Sequence, residues 1–269
     1  MLGEGPLTLL VPGRRVWLDG GHNPDAGAAL ANAAHVVEGA LHTGFVEHAY
    51  IEPEAGAAWL EGETLVIRAC TQAPMLDRDE TAAILALPPS RLRIVPSAVG
   101  GGFGSKLDIS LQPLLGLVTL RSGRPCRMVY SRAESMASTT KRHPAELRGR
   151  IGCDASGRLT AMELDGRFNT GPYASWGPTV ANRVPVHASG PYLIPAITAR
   201  ARAVHTHGPV AGAFRGFGVP QVAAWQETLF DRLADKAGID RLQFRLRNAL
   251  RDGDPSATGQ TMRAVGIAA

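Results

Sequence analysis

The sequence predicts an α+β fold, on three observations. Between residues 64 and 99 a β-branched run, a helix-forming stretch and a second β-branched run follow in order. A glycine-rich loop then joins strand to helix. Further on, a long alternating segment with a central turn precedes the strongest amphipathic pattern in the chain.

Residues 23 to 38, NPDAGAALANAAHVVE, open with Asn23 and put Pro24 at a first helical position, which predicts a short packing helix leading into a strand. TLVIRACTQ (64–72) and RLRIVPSAV (91–99) read as strands. DRDETAAILAL (77–87) between them begins with acids and continues in helix formers. DISLQPLLGLVTLRSG (108–123) has helical apolar spacing and stops at Gly123, and PCRMVYSR (125–132) is again a strand. ELRGRIGCDASGRLTAMELDGRFNTG (146–171) alternates around a DASG turn and predicts a hairpin or meander. PQVAAWQETLFDRLADKAGID (220–240) is an amphipathic helix stopped by Gly238, and DRLQFRLRNAL (240–250) is a second helix. No internal repeat is visible.

The 269 residues are 45% hydrophobic and 19% charged, with a mean hydropathy of −0.03, enough to bury a substantial core. The 31 glycines and 19 prolines predict a loop-rich chain whose backbone passes close to other groups. The net charge of +4 comes from 28 basic and 24 acidic residues with no block of like charge, which argues against a nucleic-acid partner. Basic residues thicken at 121–132 and 141–150; these read as solvated faces, with an anionic cofactor as the sharper alternative. Cys70, Cys126 and Cys153 are odd in number and far apart, which fits neither a disulfide framework nor paired metal ligands and points to a reducing compartment. No charged leader precedes LTLLVP (7–12) and no apolar run approaches a membrane span, so a cytoplasmic protein with no membrane partner is expected.

In VGGGFGSKLD (99–108) the glycines permit positive φ and remove side chains that would block an approaching anion. Lys106 is followed by Leu107 where a nucleotide P-loop needs Ser or Thr, and the glycine spacing departs from the dinucleotide fingerprint. Taken alone, the loop is open between a tight turn and an anion cradle. GAFRGFGVPQ (212–221) repeats the design just before a helix. Phe214 and Phe217 read either as core anchors beside a surface Arg215, or Arg215 holds a phosphate next to a planar substrate on Phe217. HTGFVEHAYIEPE (42–54) gathers Glu47, His48, Glu52 and Glu54, with Glu52 and Glu54 on one face if extended. One histidine with scattered carboxylates reads as a polar network around a turn ahead of a metal site. His205 and His207 read as exposed strand residues.

Taken in order, EHAYIEPE, CTQAP, GGGFGSK, KRHP, TGPYAS and GAFRGFGVPQ resemble the signatures of the molybdenum-binding subunit of the xanthine dehydrogenase and aldehyde oxidase family of molybdenum hydroxylases. The similarity runs from about residue 35 to ATGQ near 260. FVEHAYIEPEAG and FRLRNALRDGDPSATGQ resemble the branch with selenium-dependent xanthine dehydrogenases and related purine or nicotinate hydroxylases. The resemblance implies an α+β fold forming the first half of the molybdopterin-cofactor-binding domain. Residues 35–269 would be that half, with 1–34 a remnant or linker before it.

The resemblance also implies roles. Gly101, Gly102, Phe103 and Gly104 wrap the molybdenum-bound pterin, with molybdopterin or its cytosine dinucleotide form as cofactor. Gln72 donates its amide to a molybdenum oxo group. Gln72, Phe103 and Arg215 thus surround the metal through backbone or outer contacts, Arg215 being the cofactor-side arginine. Arg183 binds substrate and steadies charge developing on the ring, as the catalytic residue of this chain, and Phe217 is the platform for a planar substrate. Iron–sulfur clusters and FAD are expected on partner subunits.

Two departures shape the expectation. Ser105 stands where the family has a second glycine, and Leu107 stands where xanthine-type members carry a substrate-binding glutamate. An apolar Leu107 suits aldehydes or less polar N-heterocycles over purines. The family's general-base glutamate has no counterpart in the 269 residues, so a half-subunit or fragment is expected that needs the remaining half of the molybdenum domain and is inactive alone. The other readings are a non-catalytic cofactor-binding or structural half-subunit and a nucleotide-binding phosphotransferase built on GGGFGSK.

Overall fold

The computed structural model describes Leu18–His22 and residues 26–267. In chain order the elements are β1 (Leu18–His22), α1 (Ala26–Ala31), β2 (His35–Thr43), β3 (Ala55–Glu61), β4 (Thr64–Ala69), α2 (Pro74–Ile84), β5 (Leu92–Pro96), α3 (Gln112–Ser122), β6 (Cys126–Val129), α4 (Arg132–Ser138), β7 (Ala145–Cys153), β8 (Leu159–Gly171), α5 (Gly177–His187), β9 (Ala196–His205), α6 (Val219–Ala237) and α7 (Arg241–Asn248). This is the mixed helix and sheet fold that the sequence predicts. The described residues divide into two compact units, one formed by residues up to 44 with 143–207 and from 216 onward, the other by 45–142 with 208–215.

The first unit is built on a five-stranded sheet in the order β1-β9-β8-β7-β2, antiparallel except between β8 and β9. Its period-two pattern sends Leu147, Ile151, Met162, Leu164, Phe168, Ile197 and Ala199 to one face, where Val180 and Val184 of α5 and Trp225, Leu229 and Phe230 of α6 complete the core. The opposite face is charged and carries the ion pairs Arg150–Glu163 at 2.6 Å and Arg202–Asp165 at 3.0 Å. The predicted hairpin is β7–β8; its turn is closed by Asp154, whose carboxylate accepts the N–H groups of Ser156 and Arg158. Helix α6 sits close to the sheet because Gly39 and Gly149 pair across β2 and β7. Buried Trp225 seats there and donates its indole N–H to the Gly39 carbonyl at 3.0 Å.

The second unit holds a four-stranded sheet, β5-β4-β3-β6, in which β4 and β5 are parallel and joined by α2. Leu65, Ile67, Leu92, Leu111 and Leu115 form its core with Ala58 and Ala82. Buried Gln112 of α3 donates to Asp77 of α2 at 2.8 Å, and burial raises the pKa of that carboxyl.

Differences from the sequence reading have local causes. Residues 18–31, expected to precede the domain, supply edge strand β1, paired with β9, and helix α1, whose Ala26 and Leu30 pack on Ala161 and Ala196. Asn23, Pro24 and LTLLVP lie outside the described residues. Helix α5 is absent from the sequence reading because Pro178 and Pro185 look like breakers. Pro178 falls in the first turn, where no N–H is needed, and Pro185 follows close to the helix end. Helix α4 starts on a capping box between Ser131 and Glu134 that the sequence reading passed over. No helix among the described residues is long and apolar enough to cross a membrane.

Gly149 tests this packing. A Cβ at that position would lie 1.9 Å from the Glu163 carbonyl oxygen and 2.8 Å from the Trp225 ring. Gly149→Ala is expected to destabilise the chain by about 3 kcal/mol or more, read as a lower urea midpoint, because overpacking here meets backbone that cannot yield.

Candidate functional site

In the second unit the fold itself gathers the predicted cofactor-side residues. Parallel pairing of β4 with β5 sets Ala69 opposite Pro96, so both strands end side by side. Gln72 lies just past the first end and the glycine loop just past the second. The two segments join where Gln72 N–H donates to the Lys106 carbonyl at 2.9 Å and Gly104 N–H donates to Gln72 Oε1 at 3.0 Å. A backbone N–H can only donate, so it fixes the amide with its oxygen inward and its NH₂ group outward. That NH₂ group has no acceptor among the described residues.

The loop is tightly constrained. Gly101, Phe103 and Gly104 have φ of 101°, 52° and 112°, and Phe103 is 48% exposed. A Cβ on Gly104 would meet the Ala213 carbonyl oxygen at 2.6 Å, so close approach of backbone requires glycine there, while one on Gly102 would meet Gln72 Oε1 at 2.4 Å and displace that amide. The N–H groups of Gly101, Gly102 and Phe103 have no acceptor among the described residues, although Gly102 is buried. Three successive unclaimed donors beside a free amide NH₂ form an array suited to an oxygen-rich or anionic group.

Arg215 joins this array from far along the chain. Its N–H donates to the Phe103 carbonyl at 2.8 Å, while its side chain is exposed and makes no polar contact among the described residues. Leu107 is half-buried in the 3₁₀ turn Ser105–Leu107 that ends the loop. Lys106, which a phosphate-binding loop would present to its ligand, is instead 4% exposed and bound to Glu52 Oε2 at 2.7 Å.

Arg183 and Phe217 meet in the first unit. The segment Gly216–Phe217–Gly218 has φ of 92°, 46° and 84° and caps α6, putting the Phe217 ring 5.9 Å from Trp176. The Arg183 guanidinium on α5 lies over that ring at 5.0 Å, exposed and without a carboxylate partner among the described residues.

Glu47, His48, Glu52 and Glu54 do not converge. Each has its own partner: Lys141 at 2.6 Å, the Ala213 carbonyl at 2.8 Å, Lys106, and the Tyr50 hydroxyl, respectively. Glu52 and Glu54 do not share a strand face, because Glu52 pairs its N–H with the Gly100 carbonyl and its carbonyl with Lys106 Nζ, outside any strand. No group of three metal-ligating acids, histidines or cysteines occurs among the described residues. Lys141 and Arg142, read in sequence as part of a solvated face, are drawn inward, Lys141 to Glu47 and Arg142 onto the Phe214 ring at 3.9 Å. His205 and His207 are exposed, as expected, but only His205 lies in a strand, at the end of β9. The sequence reading missed the part played by His48, Arg142 and Trp176. The KRHP and EHAY motifs that hold the first two were visible, but only the fold shows what they touch.

Buried His48 donates from Nε2 to the Ala213 carbonyl, and Nδ1 has no partner among the described residues. Burial pushes its pKa below the ordinary 6.5, against the opposing effect of that carbonyl. The neutral imidazole is therefore the folded form; its contribution to stability is full above 6.5 and is lost as pH falls through the depressed value. Melting temperature followed from about pH 7 to about pH 5 should drop more steeply for the native chain than for His48→Gln, which keeps an N–H donor but cannot titrate.

Comparisons with known proteins identify the family of the chain. Residues 14–249 match the family model described as molybdopterin cofactor-binding domain. The chain is 41% identical over 245 residues to the nicotinate dehydrogenase large molybdopterin subunit of Eubacterium barkeri, covering 90% of this chain and 58% of that protein. It is 34% identical over 243 residues to the xanthine dehydrogenase molybdenum-binding subunit of Escherichia coli O157:H7, covering 87% of this chain and 32% of that one. The structure superposes on the aldehyde oxidoreductase from Desulfovibrio gigas with a TM-score of 0.90 at 30% identity, over 96% of this chain and 29% of the other. The chain thus spans between about three-tenths and three-fifths of the length of these relatives.

Proposed function

Because this chain belongs to the molybdopterin cofactor-binding domain family, we propose that it supplies the cofactor cradle and part of the substrate pocket of a xanthine dehydrogenase or aldehyde oxidase-type molybdenum hydroxylase. The observation that carries this reading is the row of unclaimed N–H groups at Gly101, Gly102 and Phe103 beside the outward NH₂ of Gln72. A bound molybdenum–pterin centre would supply the two-electron oxidation that inserts water-derived oxygen. These residues fit such a group: Gln72, Gly101, Gly102, Phe103 and Arg215 offer neutral and cationic donors, Gly104 holds the Gln72 amide in place, and none carries a carboxylate to repel an anion.

On the substrate side, Phe217 offers a ring face to a planar molecule and Arg183 offers a fixed positive charge next to it. Leu107 offers no carboxylate to pair with ring N–H groups, which favours a less polar N-heterocycle or an aldehyde over a purine. The name of the Eubacterium barkeri relative supports the heterocycle side of that choice. The general base is assigned to no residue of this chain and would come from the rest of the enzyme, as would the second part of the molybdenum domain. Iron–sulfur and FAD subunits would carry the electrons away. Exposed Leu114, Leu117 and Val118 on the outer side of α3 support a protein partner. Three free cysteines support a cytoplasmic site of action. The phosphotransferase reading loses its cation, since Lys106 is buried against Glu52.

The test uses variants in the assembled enzyme. Arg215→Ala and Gln72→Ala should lower molybdenum per chain. Arg183→Met should leave molybdenum in place and lower turnover by roughly a hundredfold, the worth of a well-placed charge in the transition state. Phe217→Ala should chiefly weaken substrate binding, and Leu107→Glu should shift preference toward purines. Equal molybdenum loss in the Arg183 and Arg215 variants sinks the assignment.

A further inference from the structure

Besides its bond to Phe103, the loop that presents Arg215 is held by His48 and by residues 141–142. Gly212 N–H donates to the Lys141 carbonyl at 3.0 Å, and Lys141 N–H donates to the Val210 carbonyl at 3.1 Å. The Ala213 carbonyl accepts from His48 Nε2 at 2.8 Å, and the Arg215 carbonyl accepts from the Arg142 guanidinium at 2.8 Å. Between these two bonds the Phe214 ring is stacked on the His48 ring at 4.1 Å, with the Arg142 guanidinium 3.9 Å from its centroid. Two flat groups that close to one ring centroid must lie on opposite faces, so Phe214 is sandwiched. The clamp is closed on itself by the Lys141–Glu47 ion pair at 2.6 Å and by Arg142 N–H donating to the Val46 carbonyl at 2.9 Å.

We propose that His48 and Arg142 are positioning residues: they fix residues 212–215 so that the Arg215 N–H reaches the Phe103 carbonyl and the Arg215 guanidinium leaves the loop on the cofactor side. This rests on the reading of Arg215 as a cofactor-side residue. The argument is one of degrees of freedom. Gly212 carries no side chain, Ala213 is small and buried, and the Arg215 side chain is exposed, so Phe214 is the loop's one side-chain anchor. Its ring alone could rotate about the stack, but hydrogen bonds to the carbonyls on either side of it prevent that. Arg142 suits the task better than lysine, because its planar fork can stack on the ring and still donate in its plane to a carbonyl.

The experiment is hydrogen–deuterium exchange and molybdenum analysis on the assembled enzyme carrying His48→Leu, His48→Gln, Arg142→Gln or Arg215→Ala in the full chain. His48→Leu and Arg142→Gln should speed amide exchange of residues 212–215 roughly tenfold or more, as expected for losing a hydrogen bond that anchors a loop, with β3 and β4 protected as before. Molybdenum per folded chain should fall in the same two variants. His48→Gln, whose amide can still donate to the Ala213 carbonyl, should restore both readouts, a rescue that a side chain serving only to fill space would not show. Unchanged exchange at 212–215 in both variants overturns the proposal. So does exchange that rises equally across the whole unit, or full molybdenum content despite a loosened loop. If Arg215→Ala itself keeps its molybdenum, the cofactor-side reading of Arg215 fails, and this is seen separately from the exchange result on the clamp.

Discussion

The hydrogen bond from the Arg215 N–H to the Phe103 carbonyl, 2.8 Å long, is the interaction on which the joining of the two glycine loops depends. It ties two glycine-rich loops that are far apart in sequence, and it does so at a residue held in an unfavourable conformation. Phe103 has φ of 52°, a region that costs a non-glycine residue on the order of 1–3 kcal/mol and persists only when its surroundings leave no alternative. Here the surroundings are the bond to Phe103's own carbonyl, the next amide donating to Gln72, and the Ser105 N–H donating to the Gly102 carbonyl at 3.0 Å. With these groups committed, the N–H groups of Gly101, Gly102 and Phe103 are left without an acceptor among the described residues. The set of unclaimed donors is thus defined by what the rest of the loop has already used.

Topology explains why Gln72 belongs to this arrangement. A parallel pair of strands joined by a helix ends both strands at the same edge, and loops leaving that edge meet. Leu65 opposite Leu92 and Ala69 opposite Pro96 fix the register, so the spacing of Gln72 from its strand and of the glycine loop from its own is sufficient to bring them into contact. A slip in register would turn Leu65 and Ile67 out of the core, and their packing with buried Leu111 and Leu115 makes such a slip costly. The position of a polar amide is therefore secured by apolar packing some distance away.

Much of this was legible in the sequence, for physical reasons that also explain what was not. The β4–α2–β5 order, the β7–β8 hairpin and α6 follow from local periodicity and from stop signals such as Gly123 and Gly238, both of which adopt the left-handed conformation in the structure. The two glycine loops stood out because composition alone marks a backbone that must come close to something. The partners of His48 and Arg142 were not legible, since a clamp made by segments 47–48, 141–142 and 212–215 is a property of tertiary contact. Charge misled in the same region. Lys141 and Arg142 look like surface cations in the sequence, yet one is paired with a carboxylate and the other lies flat on an aromatic ring. Helix α5 was hidden by its prolines, whose effect depends on where in the helix they fall.

The two Gly–Phe–Gly segments invite the view that they are one motif used twice, and their backbones support it: Phe103 and Phe217 both have positive φ between positive-φ glycines or next to them. Their surroundings divide them. Phe103 is embedded in hydrogen bonds that claim its carbonyl and the following amide, which leaves its backbone as the feature on offer and its ring half-exposed. Phe217 lies just before α6 with its ring near both Trp176 and Arg183, and its ring is the feature that its neighbours contact. The same left-handed conformation thus has two results, leaving amide donors unclaimed in one loop and seating an aromatic ring beside Trp176 and Arg183 in the other. That difference follows from the residues packed around each loop and could not have been read from the glycines themselves.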